Sequence, residues 1–375
     1  MSSLLGTTVT GLRLPIVKSG DDVKTIIKEG INNIINQENL KFNDNDIIAI
    51  TESLIARGYN NYVHIDDIAK FIEERFGQNA TICVLWPIYS RNRFSLILRG
   101  IARGAKKVIV QLHHGKDEMG NDIENPWTGV NIINFYRDLV EGENAECEIL
   151  LSNNISDGMI RASGNVIIST IHTREKDYNS LKNFISWNAD KYIHYSPQII
   201  KLTDIFNIAT DKHGWSEYGL LGSNKCGDER LKLFPTKESC KEVCEYIKEY
   251  VKETYNKNIH VMVYGDGCFK DPKAEIWEFA DPISCPYHTG DLLDKSPNEI
   301  KIKYLADTIT DDPDKIKNWI KDKEDHINFN NMLAQGTTPR TYYDLLASLC
   351  DLTSGSGDKG TPVIWIQNYF KNYAD

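Results

Sequence analysis

Residues 81–112 have the sequence TICVLWPIYSRNRFSLILRGIARGAKKVIVQL. Two β-rich apolar runs, at 81–86 and 107–112, flank a stretch with helical periodicity at 92–103, which Gly104 is suited to end. Strand and helix patterns alternate in this way along much of the chain. Because such alternation is typical of sheets covered by helices, the sequence predicts an α/β protein.

The other predicted elements fit the same class. Further strands are predicted at 46–51, 148–152, 165–170, 259–264 and 362–367, and further helices at 22–35, 65–76, 237–255, 298–306, 313–334 and 341–352. A chain of 375 residues favours two domains or one large elaborated domain. We place a boundary near residue 190, which gives an N-terminal half, 1–190, and a C-terminal half, 191–375.

Composition excludes several classes of function. The chain has 43 basic and 53 acidic residues and a formal charge of -10, which argues against bulk nucleic-acid binding. We expect no targeting signal and no membrane association, since no apolar run approaches the roughly 20 residues that span a bilayer. Eight cysteines without a CxxC pair are typical of reduced thiols in a cytoplasmic protein. Cys240 and Cys244, one helical turn apart, are interpreted as part of a buried stripe rather than a metal site.

The strongest local signal for chemistry is VMVYGDGCFKDP at residues 261–272. A buried strand ends there in Gly265, Asp266 and Gly267, and the carboxyl ends of strands face the ligand crevice in α/β proteins. Glycines let phosphate or metal approach the backbone closely. Asp266 is therefore a candidate Mg²⁺ or Mn²⁺ ligand and Lys270 a candidate phosphate contact. An ordinary tight turn is the alternative interpretation.

Other acids could join such a site. Glu278 and Asp281 follow shortly after the turn, and Asp117 and Glu118 follow the predicted strand at 107–112. Magnesium is usually held by one or two carboxylates together with phosphate oxygens. A solvated surface acid, a helix cap or a polar hairpin turn would equally explain each of these acids.

Two loops could bind anions. Arg91 and Arg93 precede a helix, and arginine forks match carboxylate and phosphate groups. Exposed surface charges are the alternative. The glycine-rich stretch SGSGDKGTP at 354–362 follows a helix and leads into a strand, whereas a P-loop has the opposite order. It is therefore interpreted as an αβ connection whose backbone N–H groups could still contact a ligand.

Three segments resemble the coenzyme F-420-0:L-glutamate ligase family. DLLASLCDLTSG at 344–355, continued by GTPV at 360–363, is similar to the family's helix followed by a glycine–proline turn and a strand. GLRLPIVKSGDD at 11–22 is similar to the family's opening. The segment at 48–58 resembles another family motif and places Arg57 at its lysine position, and Asp266 falls on the aspartate of the family's central strand end.

The chain also departs from the family pattern. Gly267 stands where the family has threonine, and Lys270 stands near the family's arginine. The stretch between about 85 and 235 aligns poorly with the shorter archaeal type. SRNRFSLILRGIARGA at 90–105 looks instead like a longer bacterial branch.

The resemblance implies a two-lobed fold of mixed sheets flanked by helices, and a homodimer. It also implies a ligase that uses GTP or ATP and a divalent metal to add L-glutamate to a small carboxylate acceptor through an acyl phosphate. Asp266, Asp117, Glu118 and Asp281 are then the expected metal ligands. The residues expected to contact nucleotide or substrate are Arg57, Arg91, Arg93, Gly265, Gly267 and Lys270. A folate-type polyglutamate ligase, a phosphotransferase and a non-catalytic nucleotide sensor remain the alternatives.

The assignment of Asp266 is directly testable. We expect Asp266→Asn to abolish metal-dependent nucleotide turnover and to leave the fold intact, because an amide is a much poorer ligand for a divalent cation. Nucleotide hydrolysis in the presence of Mn²⁺ and circular dichroism measure the two effects. Full activity in the variant would remove Asp266 from the site.

Overall fold

The computed structural model describes residues 5–126, 128–188, 196–210, 212–265, 268–270, 277–279, 286–295, 301–323, 341–354 and 359–374. Within these residues the strands are β1 Thr8–Leu12, β2 Ile47–Thr51, β3 Tyr62–His64, β4 Thr81–Leu85, β5 Lys107–Leu112, β6 Glu146–Leu151, β7 Asn165–Ile168, β8 Gln198–Lys201, β9 Ser223–Lys225, β10 Arg230–Leu233, β11 His260–Tyr264, β12 Cys268–Lys270, β13 Trp277–Phe279, β14 Tyr287–His288 and β15 Val363–Gln367. The helices are α1 Val23–Glu38, α2 Glu52–Gly58, α3 Ile65–Phe76, α4 Arg93–Arg103, α5 Ile132–Glu141, α6 Asp157–Arg161, α7 Arg174–Trp187, α8 Lys237–Tyr255, α9 Ile302–Thr308, α10 Pro313–Lys323 and α11 Tyr342–Ser354.

A five-stranded mixed sheet draws its strands from both ends of the chain. Its order is β1-β15-β2-β11-β14, and β2 and β11 form its one parallel pair. Apolar residues of β2 and β11 are buried on both faces, against α1 and α8 on one side and against α11 on the other. Burial on both faces explains why these strands appear in the sequence as continuous apolar runs.

A second five-stranded sheet is wholly parallel and lies between those chain ends in the sequence. Its order is β6-β5-β4-β7-β8. Helices α3, α4 and α5 contribute to the apolar cluster on one face, and α6 and α7 to the cluster on the other. The α/β prediction is therefore confirmed, and this sheet is of the doubly wound kind. The boundary near residue 190 stays a prediction.

A small sheet, β3-β10-β9, contacts α2, which follows β2 of the mixed sheet, and α4, which packs on the parallel sheet. Helix α4 packs against β9 and β10. Arg99 and Arg103 of α4 both bind Glu143, at 2.6 and 2.8 Å, and both reach Glu229, which directly precedes β10. The Glu143 side chain is only 9% exposed, so its ion pairs are shielded from solvent screening, whereas Glu229, which ties β10 to α4, is 41% exposed.

Several predicted details agree with the structure. Thr236 caps α8 by accepting a hydrogen bond from Ser239 N at 3.0 Å, and Gly104 ends α4. Cys240 and Cys244 are buried in the apolar cluster beneath the mixed sheet, as a buried stripe requires. Within the described residues, no helix combines the length and the apolar character needed to cross a membrane.

The contact between α3 and α4 depends on a residue without a side chain. A Cβ atom at Gly104 would lie 2.4 Å from the carbonyl oxygen of Ala69 and 2.9 Å from its Cα. Real Cβ atoms do not approach backbone atoms this closely, so any larger residue must push the two helices apart.

Gly104→Ala is therefore expected to destabilise the fold by about 1–3 kcal/mol, the usual cost of overpacking. Urea denaturation followed by circular dichroism measures the change. Gly227→Ala is the matched control, because the nearest atom to its added Cβ lies 3.8 Å away. Equal midpoints for the two variants would contradict this account of the helix contact.

Candidate functional site

A cavity of about 680 Å³ opens where the carboxyl ends of β2 and β11 meet the small sheet. Its wall is formed by Leu14, Pro15, Ile16, Val17, Thr51, Ser53, Leu54, Arg57, Tyr62, Asn92, Asn224, Lys225, Cys226, Lys232, Tyr264, Asp351, Ser354, Gly360, Thr361 and Pro362. This volume is within the range of small-molecule sites in proteins.

The parallel pairing of β2 and β11 produces one edge of the cavity. Thr51 and Tyr264 are register partners at the last position of the two strands, and both line the wall. Helix α2 begins directly after Thr51, so Ser53 lies at the cavity and Arg57, in the last turn of the helix, reaches it as well. Parallel strands thus bring two segments more than 200 residues apart to one rim.

The small sheet contributes a cross-strand row. Lys232 of β10 is the register partner of Tyr62 in β3 and of Asn224 in β9, and all three line the cavity. Directly opposite residues of antiparallel strands share one face of a sheet. The row therefore forms a continuous polar wall with a cation at its centre.

Lys232 is held by a buried ion pair. Its Nζ donates to Glu52 Oε1 at 2.7 Å and to Ser53 Oγ, and the Lys232 and Glu52 side chains are 9% and 0% exposed. Glu52 Oε2 is buried and has no hydrogen-bond partner among the described residues. Removing one member of such a pair typically costs about 3–5 kcal/mol, because the other charge remains buried. The pair therefore fixes the ammonium group at the cavity wall.

The end of α11 and the residues directly before β15 also contribute to the cavity wall. Ser354, Gly360 and Thr361 line it, and Gly360 accepts a hydrogen bond from Leu14 N at 3.2 Å. The described ends of the glycine-rich stretch thus lie between a helix and a strand, as predicted, and border the cavity, while residues 355–358 lie outside the described residues. Asp351, near the end of α11, adds an exposed carboxylate, and desolvation by the neighbouring protein raises its pKa.

An apolar strip completes the wall. Leu14, Pro15, Ile16 and Val17 lie in the segment between β1 and α1, and Leu54 faces them from α2. Ile16 is 89% exposed, which is unusual for an isoleucine. A cavity wall that carries Arg57, Lys225 and the Glu52-paired Lys232 together with an apolar strip suits an anionic ligand that also has a ring or chain.

Of the residues expected at the strand-end site, the structure places Arg57 on the cavity wall. Gly265 is buried and follows Tyr264 directly. Asp266, Gly267 and Asp281 lie outside the described residues. Lys270 is in β12 and Glu278 in β13, and their side chains lie outside the description.

The arginine loop before α4 also reaches the site. Asn92 lines the cavity, and Arg91 beside it is half-buried. Arg93 is the first residue of α4, and its side chain lies outside the described part of the chain.

Asp117 and Glu118 do not line this cavity. Asp117 is 7% exposed and accepts hydrogen bonds from Tyr89 N, Met119 N and Asn121 N at 2.8–2.9 Å. Glu118 accepts from Ile171 N and from His172 N, and burial raises its pKa. Both carboxylates brace the loop after β5 at the carboxyl edge of the parallel sheet.

Within the described residues, no group of three or more His, Cys, Asp or Glu side chains has the arrangement of a metal site. Asp351 is the only described carboxylate on the cavity wall. A single carboxylate is compatible with Mg²⁺ or Mn²⁺ only if phosphate oxygens or further acids complete the ligand set.

Sequence reasoning missed Glu52, Ser53, Lys225 and Lys232. The position of Ser53, two residues past a predicted strand, was a usable signal. Lys225 and Lys232 were harder to find, because β9 and β10 are three and four residues long and lack a strong apolar pattern.

Comparison with known proteins gives three results. Curated proteins contain no match to this chain. A solved structure, the tetrameric eIF2B-beta2-delta2 complex from C. thermophilum, matches 49% of this chain and 50% of its own chain, with 14% identity and a TM-score of 0.26, and nothing about fold or function follows from it. Third, residues 11–368 of this chain match the model of the family described as F420-0:Gamma-glutamyl ligase. The chain therefore belongs to the F420-0:gamma-glutamyl ligase family, whose members are ligases that form C–N bonds.

Proposed function

We propose that the protein is a GTP- or ATP-dependent γ-glutamyl ligase that joins L-glutamate to a carboxylate acceptor similar to coenzyme F-420-0. The observation that supports it most is the cavity at the carboxyl ends of β2 and β11. Arg57 and Lys225 bring two cationic side chains to its wall, Lys232 adds an ammonium group that Glu52 pairs from behind the wall, and Asp351 is the single described carboxylate on the wall itself.

This charge balance suits the reactants. A nucleoside triphosphate, glutamate and the acceptor are all anions, so their assembly in one cavity requires cationic neighbours. Arginine binds two oxygens of a phosphate or carboxylate at once, whereas a lysine acts as a point charge. In the proposal, Lys232 contacts phosphate oxygens, because Glu52 and Ser53 hold its ammonium group in one position.

The proposed reaction has two steps. An acceptor carboxylate oxygen bonds to the γ-phosphorus, and the bond between that phosphorus and the β–γ bridging oxygen breaks, which gives an acyl phosphate and nucleoside diphosphate. The glutamate amine then bonds to the acyl carbon, phosphate leaves, and the nitrogen loses a proton. The residues of the cavity hold the reacting oxygens in line and neutralise the charge on phosphate.

A divalent cation fits this proposal if two acids share it. Asp351 lies on the wall, and Asp266 follows the buried Gly265 in the sequence. Mg²⁺ or Mn²⁺ held by these carboxylates and by phosphate oxygens would neutralise triphosphate charge. Asp117 and Glu118 are less suited to this role, because backbone N–H groups already bind their carboxylates.

Labelled glutamate provides the direct test. The enzyme, Mn²⁺, GTP or ATP, and isotopically labelled glutamate are incubated with cell extract, and products are followed by mass spectrometry. We expect a new product heavier than its acceptor by one glutamyl unit, and its formation should require both nucleotide and glutamate. Nucleotide hydrolysis that proceeds without any amine would instead indicate a phosphotransferase, and unchanged nucleotide would indicate a non-catalytic sensor.

Arg57→Gln tests the cationic wall. Arg57 is exposed in the last turn of α2, so its replacement should leave stability unchanged while it weakens nucleotide or carboxylate binding. Loss of one charge-assisted contact is expected to lower kcat/KM by about tenfold or more. Nucleotide turnover gives the measurement.

Arg75→Gln is the matched control for this variant. Arg75 is likewise exposed in the last turn of a helix, α3, and does not line the cavity. Equal kcat/KM for the two variants would remove Arg57 from substrate binding.

A further inference from the structure

The small sheet has one apolar face and one polar face. Val63 and Leu231 are register partners and belong to the apolar cluster of the parallel sheet. Because side chains of a strand alternate between faces, Tyr62, Arg230 and Lys232 lie on the other face. Tyr62 and Lys232 line the cavity, so the polar face of this sheet continues into the cavity wall.

Arg230 holds the ring of Tyr62 at this wall. The guanidinium carbon of Arg230 lies 4.4 Å from the centroid of the ring, a distance at which a cation and an aromatic face attract each other. The pairing of β3 with β10 fixes the backbone of Tyr62 opposite Lys232, and the tyrosine side chain is half-buried. Strand pairing and the cation together restrict the position of the ring before any ligand binds.

The hydroxyl of Tyr62 is an available hydrogen-bond donor. It has no hydrogen-bond partner among the described residues, whereas the hydroxyl of Tyr59 donates to Glu242 Oε2 at 2.6 Å. Burial raises the pKa of the Tyr62 phenol, although the charges of Arg57 and Arg230 oppose this shift. A raised pKa keeps the proton on the hydroxyl, so the group can donate to an acceptor in the cavity.

The cations beside this hydroxyl are also available. Within the part of the chain that the structure describes, Arg57, Lys225 and Arg230 form no ion pair with a carboxylate. Glu229 directly precedes Arg230 in the sequence, but it binds the two arginines of α4 instead. Unpaired cations grouped on one surface of a chain with a formal charge of -10 attract an anion.

A neutral donor among such cations has a specific use. Charged side chains attract an anion from many directions, whereas a hydroxyl on a fixed ring donates along one direction. An anionic oxygen also accepts a stronger hydrogen bond than a neutral oxygen does. The cavity wall thus combines positive charge with one oriented donor, which suits a carboxylate or phosphate oxygen.

We propose that Tyr62 is a substrate-binding residue whose hydroxyl donates to an anionic oxygen in the cavity, and that Arg230 positions its ring. The inference rests on the proposed function for the identity of the substrate. The oxygen belongs to a phosphate of the nucleotide or to a carboxylate of glutamate or of the acceptor. Tyr62 orients that group, while the neighbouring cations supply the charge.

Tyr62→Phe tests the hydroxyl alone, because it keeps the ring and its contact with Arg230. The urea midpoint should not change, since no described residue loses a hydrogen bond. Loss of a hydrogen bond to a charged group should weaken binding of the substrate concerned by about tenfold or more.

Tyr178→Phe is the matched control. Tyr178 is likewise half-buried, and Lys201 Nζ lies 5.2 Å from the centroid of its ring, but it does not line the cavity. The same loss of a hydroxyl beneath a cation should leave every affinity unchanged.

Arg230→Gln tests the positioning role. If Arg230 acts through the ring, this change weakens binding in the otherwise unchanged protein and has a much smaller effect in combination with Tyr62→Phe. Additive effects of the two changes would overturn the positioning role of Arg230.

Isothermal titration calorimetry identifies the source of the oxygen. Non-hydrolysable GTP and ATP analogues are titrated with Mg²⁺, and L-glutamate is titrated in the presence of saturating analogue. Weaker analogue binding in Tyr62→Phe assigns the oxygen to phosphate, and weaker glutamate binding alone assigns it to glutamate. If both affinities are unchanged, slower incorporation of labelled glutamate at limiting cell extract assigns it to the acceptor.

The outcomes distinguish this inference from the proposed function. Unchanged affinities and rates in Tyr62→Phe, with analogue binding weakened by Arg57→Gln, would overturn the role of Tyr62 and support the cationic site. Binding of inorganic phosphate that Tyr62→Phe weakens, in a protein that binds neither analogue, would support Tyr62 and overturn the nucleotide-dependent ligase. Absence of binding to analogues, glutamate and phosphate would overturn both.

Discussion

The parallel pairing of β2 with β11 is the constraint on which the site depends. It joins residues 47–51 to residues 260–264, and its hydrophobic side chains are buried on both faces of the sheet. Because parallel strands end at the same edge, this pairing brings the start of α2 next to Gly265, although more than 200 residues separate them in the sequence. Without it, Arg57 and Tyr264 would have no reason to line the same cavity.

The small sheet makes that edge into a cavity. The ion pair with Glu52 fixes the side chain of Lys232, and β3 and β9 pair with its strand on either side. Glu229, directly before the same strand, binds the two arginines of α4. A buried ion pair is weak evidence for stability, since apolar replacement is often neutral or better. At a cavity wall, such a pair holds a charge in one position, which is the role we propose for Lys232. The structure therefore links the geometry of the cationic wall to the packing of the parallel sheet.

The sequence predicted the elements whose pattern is strong and missed those whose pattern is weak. The strands β2, β4, β5 and β11 are buried on both faces, so they appear in the sequence as continuous apolar runs. The apolar residues that repeat along one side of α8 predicted that helix and both of its ends. The strand β10 escaped notice, because four residues with alternating charge and leucine do not stand out from a loop. Arg57 was found through the family resemblance of residues 48–58 and Gly265 because it follows a strong strand, but Lys232 depends on tertiary pairing that no local pattern encodes.

Asp117 and Glu118 illustrate why an acid after a strand is an ambiguous signal. Both follow β5 at the edge where ligands bind, and the sequence made them candidates for a metal. In the fold, backbone N–H groups of Tyr89 and Ile171 bind their carboxylates, and these donors belong to the loops after β4 and β7. Such carboxylates accept hydrogen bonds from the backbone N–H groups at the edge of a sheet, as a bound anion would. Glu118 is therefore better explained as a structural carboxylate, because the backbone N–H groups of Ile171 and His172 already donate to it.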